Sequence, residues 1–164
     1  MSILYPVATP IGNLGDISPR AVETHKSVDF IAAEDTRVTR KLTTHFGIKT
    51  PIISCHDHTS DAKRREIVER LIAGENGALV TDAGMPCISD PGSVLVKKLL
   101  DEGYEYAVVP GPTAVTSAAA LCGCENGFCF VGFLPEKNKD RQAVLDEVAH
   151  LRRNVVFYAA PHDV

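Results

Sequence analysis

The chain has 164 residues, with 17 Lys and Arg against 21 Asp and Glu and a formal net charge of −4. Its hydrophobic share of 45% and charged share of 23% exclude a disordered chain, and its length alone suggests one domain. Twelve glycines and ten prolines are an average share, which excludes collagen-like or low-complexity sequence.

Val155 to Ala160 is the longest apolar run, far short of the ~20 residues of a membrane span. Met1–Pro6 carries no basic segment, so no secretory signal is expected. Five cysteines without such a signal read as reduced thiols in a cytoplasmic protein. The acidic balance argues against coating nucleic acid by bulk charge, while leaving room for a local basic patch.

In chain order, Ile3–Ala8 predicts a strand. Ser18 as N-cap and Pro19 at the first helical position start a helix. Val28–Ala33 predicts a second strand and Thr36–Phe46 a helix closed by Gly47. Pro51–Cys55 is a short third strand. Ser60–Ala73 is a helix with Ile67, Val68, Leu71 and Ile72 on one face. Gly77–Thr81 is a fourth strand. Asp90–Asp101 is a helix with Asp90 as cap and Pro91 first. Tyr106–Val109 is a fifth strand. After Pro110-Gly111-Pro112 the pattern restarts: a small-residue helix Ala114–Leu121, a strand Phe128–Gly132, a helix Arg141–Leu151 and a strand Asn154–Ala159.

This alternation predicts an α/β fold with parallel strands and helices on the faces. The Pro-Gly-Pro turn divides it into an N-terminal α/β domain, residues 1–110, and the start of a second α/β domain, residues 111–164. Two strands rarely stand alone, so the second unit is expected to be incomplete and to leave an apolar edge.

Ligands of open α/β sheets bind at the carboxyl ends of strands, and the unusual segments fall there. The 9–15 loop lacks a dinucleotide fingerprint, because its glycines are misplaced and the helix starts late; no phosphate-loop lysine pattern exists. Asp82–Gly92 holds two glycines and two prolines in eleven residues. Its rigid backbone, with Met85 and Ile88 as an apolar wall, suits a flat heterocycle with a short amino-acid tail. A helix entry capped by Asp90-Pro91 explains only part of it. Thr113 can cap the next helix, whose N-terminus favours a carboxylate, although tight packing explains its alanines as well.

His56-Asp57-His58 with Asp61 invites a metal reading, but the second Asp-His pair of a binuclear site is absent; a polar cleft rim is the better reading. Cys122, Cys124 and Cys129 lack a fourth ligand and read as small buried residues. Glu34-Asp35-Thr36-Arg37 places two acids, a hydroxyl and a guanidinium at a strand end, either as a helix cap or as chemistry. Arg37, Arg40 and Lys41, like Lys63-Arg64-Arg65, are either a solvated face or a rim for RNA.

Together, Val7–Ser18, Ala33–Arg37, Asp82–Pro86 through Asp90-Pro91-Gly92, and Pro110–Ala114 resemble the tetrapyrrole methylase superfamily, and within it the branch acting on small-subunit ribosomal RNA. The resemblance covers essentially the whole chain. It implies a two-domain tetrapyrrole-methylase-like fold, S-adenosylmethionine as methyl donor, and a homodimer without membrane attachment. It implies 2'-O-methylation of a cytidine in the decoding region of the small-subunit RNA. Cofactor-binding positions carried onto this chain are Ile11, Asp82, Gly84, Met85, Ile88, Thr113 and Ala114; no metal is implied. The catalytic candidates are Glu34 or Asp35 as general base and Arg37 as phosphate holder. Alternatives are a tetrapyrrole or modified-protein acceptor, or an RNA-binding module without turnover. Two positions depart from the family: Ala159 stands where a glutamate follows the tyrosine, and Asp163 where a basic residue follows the histidine. Family members also run beyond this length, which makes the second domain an expected truncation.

Overall fold

The computed structural model describes residues 2–56, 61–89 and 92–160. The chain forms two compact units, Met1–Thr113 and Ala114–Val164. The first contains β1 (Ile3–Pro6), α1 (Pro19–Ser27), β2 (Phe30–Ala33), α2 (Thr36–His45), β3 (Ile52–Ser54), α3 (Asp61–Ile72), β4 (Gly77–Val80), α4 (Ser93–Asp101) and β5 (Glu105–Tyr106). The second contains α5 (Ala114–Leu121), β6 (Phe128–Phe133), α6 (Asn138–Ala149) and β7 (Asn154–Tyr158).

In the first unit the strands form one parallel sheet of order β3-β2-β4-β1-β5. Alternation along each strand feeds two cores. Leu4, Phe30, Ala32 and Leu79 pack with Ile67, Val68 and Leu71 of α3 and Leu95 and Leu99 of α4. Ile31, Ala33, Ala78 and Val80 pack with Val7, Ala21, Val28 and Ile48 on the other side. β2 and β4 are buried at every position, as strands covered on both faces must be. Gly77 sits where Phe30 crosses it. A Cβ there would come within 2.4 Å of the ring. Arg70 stacks on the same ring at 4.4 Å while pairing with Glu75 at 2.6 Å.

The predicted α/β class and parallel sheet are what the chain adopts, with differences at element ends. Ser18 accepts from the Ala21 N–H with Pro19 first in α1, as read from the sequence. Ile72 is 65% exposed rather than part of the α3 apolar face, because five helical steps from Ile67 rotate it away. α4 starts at Ser93, with Gly92 at its N-cap in the left-handed region (φ +105°), not with an Asp90-Pro91 start. Asp90 and Pro91 themselves lie outside the described residues. β5 is shorter than Tyr106–Val109 and begins at Glu105, and Val109 pairs beyond it through an isolated bridge to Val7, just past the end of β1.

In the second unit β6 and β7 pair in parallel, and Tyr158 meets Phe130 and Phe133 with ring centroids 4.9 and 5.3 Å apart. α6 begins at Asn138, earlier than Arg141, because the Arg141 guanidinium folds back to donate to the Pro135 and Glu136 carbonyls. The cysteines read as buried are not: Cys122 is exposed, and Cys124 and Cys129 are half-buried. Among the described residues no helix is long and apolar enough to cross a membrane.

Candidate functional site

The C-terminal ends of β1, β2 and β4 converge, and their loops are joined by backbone and side-chain bonds. The Thr9 N–H donates to the Gly84 carbonyl at 2.9 Å and the Gly84 N–H returns to Thr9 at 3.0 Å. The loop after β1 is thereby fastened to the loop after β4. Gly84 has φ +86°, and a Cβ added there would meet Ile11 at 3.5 Å and the Pro112 carbonyl at 3.8 Å. Space is therefore adequate for a methyl group, and the demand for glycine comes from the backbone conformation.

The 82–89 segment is bent twice more, at Cys87 (φ +70°) and Ser89 (φ +59°), both left-handed without being glycine. Such conformations cost of order 1–3 kcal/mol each and cluster where a loop shape is functional. Met85 is half-buried and Ile88 is 41% exposed. Ile11 is 37% exposed nearby in the β1 loop. Thr113 ends the first unit, half-buried, and Ala114 opens α5, exposed.

At the end of β2 the two acids are engaged. Asp35 caps α2, accepting from the Arg37 N–H at 2.7 Å, and both its oxygens take the Arg37 guanidinium, the shortest contact being 2.6 Å. These Arg37 bonds hold the Asp35 carboxyl at about 2, far below its usual range. Glu34 accepts from the Thr81 hydroxyl at 2.6 Å and from the Asp82 N–H at 3.3 Å. Asp82 uses one oxygen to accept from the Asp35 N–H at 3.1 Å. Desolvation first, and the Glu34 charge second, push the Asp82 carboxyl above its ordinary value. The network ties β2, β4 and, through the Thr9 hydroxyl on the Thr81 carbonyl, β1.

Beside these groups lies a cavity of about 310 Å³, lined by Thr9, Pro10, Leu14, Val38, Lys41 and Asp82 among others. Sequence reading missed it, because its α2 wall looks like an ordinary amphipathic helix. It also missed Thr81, whose buried hydroxyl is informative only once Glu34 is seen across from it. His56 is exposed; Asp57 and His58 lie outside the described residues, as do the Asp61, Lys63 and Arg64 side chains and Asp163. Arg37, Arg40 and Lys41 are all exposed along α2.

Residues 4–164 match the family model of tetrapyrrole (corrin/porphyrin) methylases. The chain is 52% identical over 163 residues to ribosomal RNA small subunit methyltransferase I of Synechocystis sp., covering 99% of this chain and 58% of that protein. It is 48% identical over 162 residues to the protein of the same name from Xylella fastidiosa, covering 98% and 59%. The chain thus spans under two thirds of the length of these curated relatives. Among solved structures it resembles the methyltransferase CobJ, with a TM-score of 0.70 and 17% identity over 96% of this chain and 68% of that one.

Proposed function

Because the chain belongs to the tetrapyrrole (corrin/porphyrin) methylase family, we propose that it serves the transfer of a methyl group from S-adenosylmethionine to a cytidine 2'-hydroxyl in small-subunit ribosomal RNA. The observation that carries this reading is the sustained 48–52% identity, across nearly the whole chain, to proteins named for methylating that RNA. The same reading takes the protein as cytoplasmic, as a homodimer, and its residues 111–164 as the beginning of a second domain.

The donor supplies an activated methyl on a sulfonium, and the chain's residues hold and orient it. The fastened Thr9–Gly84 loops, with Ile11, Met85 and Ile88, fit an apolar adenosine contact against exposed backbone. Asp82, Thr113 and Ala114 complete the proposed donor set. No phosphate cradle is needed, since the donor carries none. Positioning of this kind is worth up to ~7–11 kcal/mol in a displacement between two bound groups. Arg37 is 88% exposed and keeps donor capacity for a phosphate beyond its pairing with Asp35.

The test is tritiated-methyl transfer from S-adenosylmethionine to small subunits lacking the modification, using the full-length protein. Label in the RNA ribose supports the reading. Donor binding with label only in a tetrapyrrole or a protein residue overturns it.

A further inference from the structure

The cavity beside the strand ends differs in chemistry from the donor loops. Its walls are apolar on two sides, with Pro10 and Leu14 from the β1 loop and Val38 and Leu42 from α2. Thr81 and Asp82 lie at its β4 side and Lys41 on its α2 side. All of these residues belong to the first unit. At about 310 Å³ it is at the lower end of ligand-pocket sizes, roughly 300–1,000 Å³. That suits one nucleoside ring system and is small for a macrocycle.

We infer that this cavity receives a single extruded ribonucleotide, and that Asp82 is the proton acceptor for its reacting hydroxyl. The inference rests on the methyltransferase reading above and adds to it the acceptor's place and the base.

Three observations support it. First, the cavity borders the fastened loops: Thr9 lines the cavity and bonds Gly84 of the donor loop, so an acceptor in one lies beside a donor on the other. Second, the α2 wall carries Arg37, Arg40 and Lys41 on adjacent turns, a positive face on a chain of net charge −4, and phosphates flanking an extruded nucleotide would meet it. Unstacking one nucleotide costs only a few kcal/mol, and the size of the cavity, not the chemistry at the ribose, is what asks for a single extruded nucleotide.

Third, of the three carboxylates here only Asp82 lines the cavity. Asp35 is committed to Arg37 and the α2 cap, which keeps it ionised and weakly basic. Glu34 is held by the Thr81 hydroxyl and the Asp82 amide. Asp82 spends one oxygen on the Asp35 N–H, and its second has no hydrogen-bond partner among the described residues. Asp82 is exposed, and partial desolvation and then the neighbouring Glu34 charge push its carboxyl above its ordinary value, the direction a general base needs. The Asp35 N–H turns the Asp82 carboxyl toward the β2–α2 loop, on the cavity side.

The step balances without a further reactant. The hydroxyl oxygen bonds the methyl carbon, the sulfur–carbon bond breaks with its electron pair going to sulfur, and the hydroxyl proton passes to the Asp82 carboxylate.

The test uses the full-length protein, calorimetry for S-adenosylmethionine, and steady-state methylation of unmodified small subunits. Asp82→Asn keeps the acceptor for the Asp35 N–H. Because Asp82 also stands in the proposed donor set, kcat is read at saturating S-adenosylmethionine; it is expected to fall about 100-fold or more, with subunit KM within about two-fold, and its decline on acidification is expected to vanish; Asp82→Glu should regain part of the rate. Val38→Trp fills the cavity and should lower kcat/KM for subunits at least ten-fold at unchanged donor Kd. Wild-type kcat and pH profile in Asp82→Asn, or wild-type kcat/KM in Val38→Trp, overturns the inference while leaving the methyltransferase reading intact. If the wild-type protein binds donor but labels no RNA, the reading falls and the inference with it.

Discussion

The two parallel sheets of this chain are built from similar residues and reach different states. β2 and β4 hold Phe-Ile-Ala-Ala and Gly-Ala-Leu-Val with every position buried. β6 and β7 hold Phe-Cys-Phe-Val-Gly-Phe and Asn-Val-Val-Phe-Tyr, yet only Gly132 is buried, while Phe133 is 53% and Phe157 46% exposed. Apolar strands are necessary for a buried sheet but not sufficient. What buries β2 and β4 is a strand on each edge and helices on each face, and among the described residues β6 and β7 pair only with each other.

The comparison breaks or sharpens under four measurements. Phe30 is fully buried beneath Arg70, so Phe30→Ala should destabilise the first unit by about 3–5 kcal/mol. Phe130→Ala in the half-buried β6 should cost less than half as much. Urea denaturation checks both, and equal losses would erase the distinction between the sheets.

Acid should act on the first unit. His25 is buried and neither ring nitrogen has a hydrogen-bond partner among the described residues, and burial lowers its pKa from 6.5 to about 4. Between those values the unfolded chain binds the extra proton and the folded chain does not, so stability rises with pH. The His25 contribution should therefore fall from about pH 6.5 down to about 4 and then level off, by about 3 kcal/mol at most. Denaturation midpoints of wild type and His25→Leu across that window check this, and identical slopes would refute it.

Gly77→Ala pushes a methyl group into the Phe30 ring and should cost about 1–3 kcal/mol, readable as a lower thermal midpoint. Smallest are the helix caps. Ser18→Ala removes a bonded cap and should lose about 1 kcal/mol. Lys137, at the α6 N-cap, makes no capping bond, so Lys137→Ser should gain about 0.5–1 kcal/mol. A loss at Lys137 would show that the Arg141 wrap already satisfies that helix end.

Much of the first unit was legible because parallel strands covered on both faces read as short apolar runs between helices with readable caps. The α4 start was not. Gly92 in a left-handed conformation takes the N-cap, and no propensity rule ranks it above the Asp90-Pro91 pair two residues earlier. The cysteine cluster failed for a related reason, since the preference of free cysteine for burial is realised only where packing provides a core.

The sequence by itself determined the α/β class, the parallel sheet, the family, and which loops lie at the strand ends, because these follow from local periodicity and from residues quoted in order. Only the tertiary structure decided how the carboxylates there divide their roles. Glu34 and Asp82 are 47 or more residues apart from their partners in the chain, and the Thr81 hydroxyl and the Asp35 amide reach them only after β2 and β4 pair. Proton affinity is set by charge, hydrogen bonds and desolvation at distances of a few ångströms. Those distances are a property of the folded sheet.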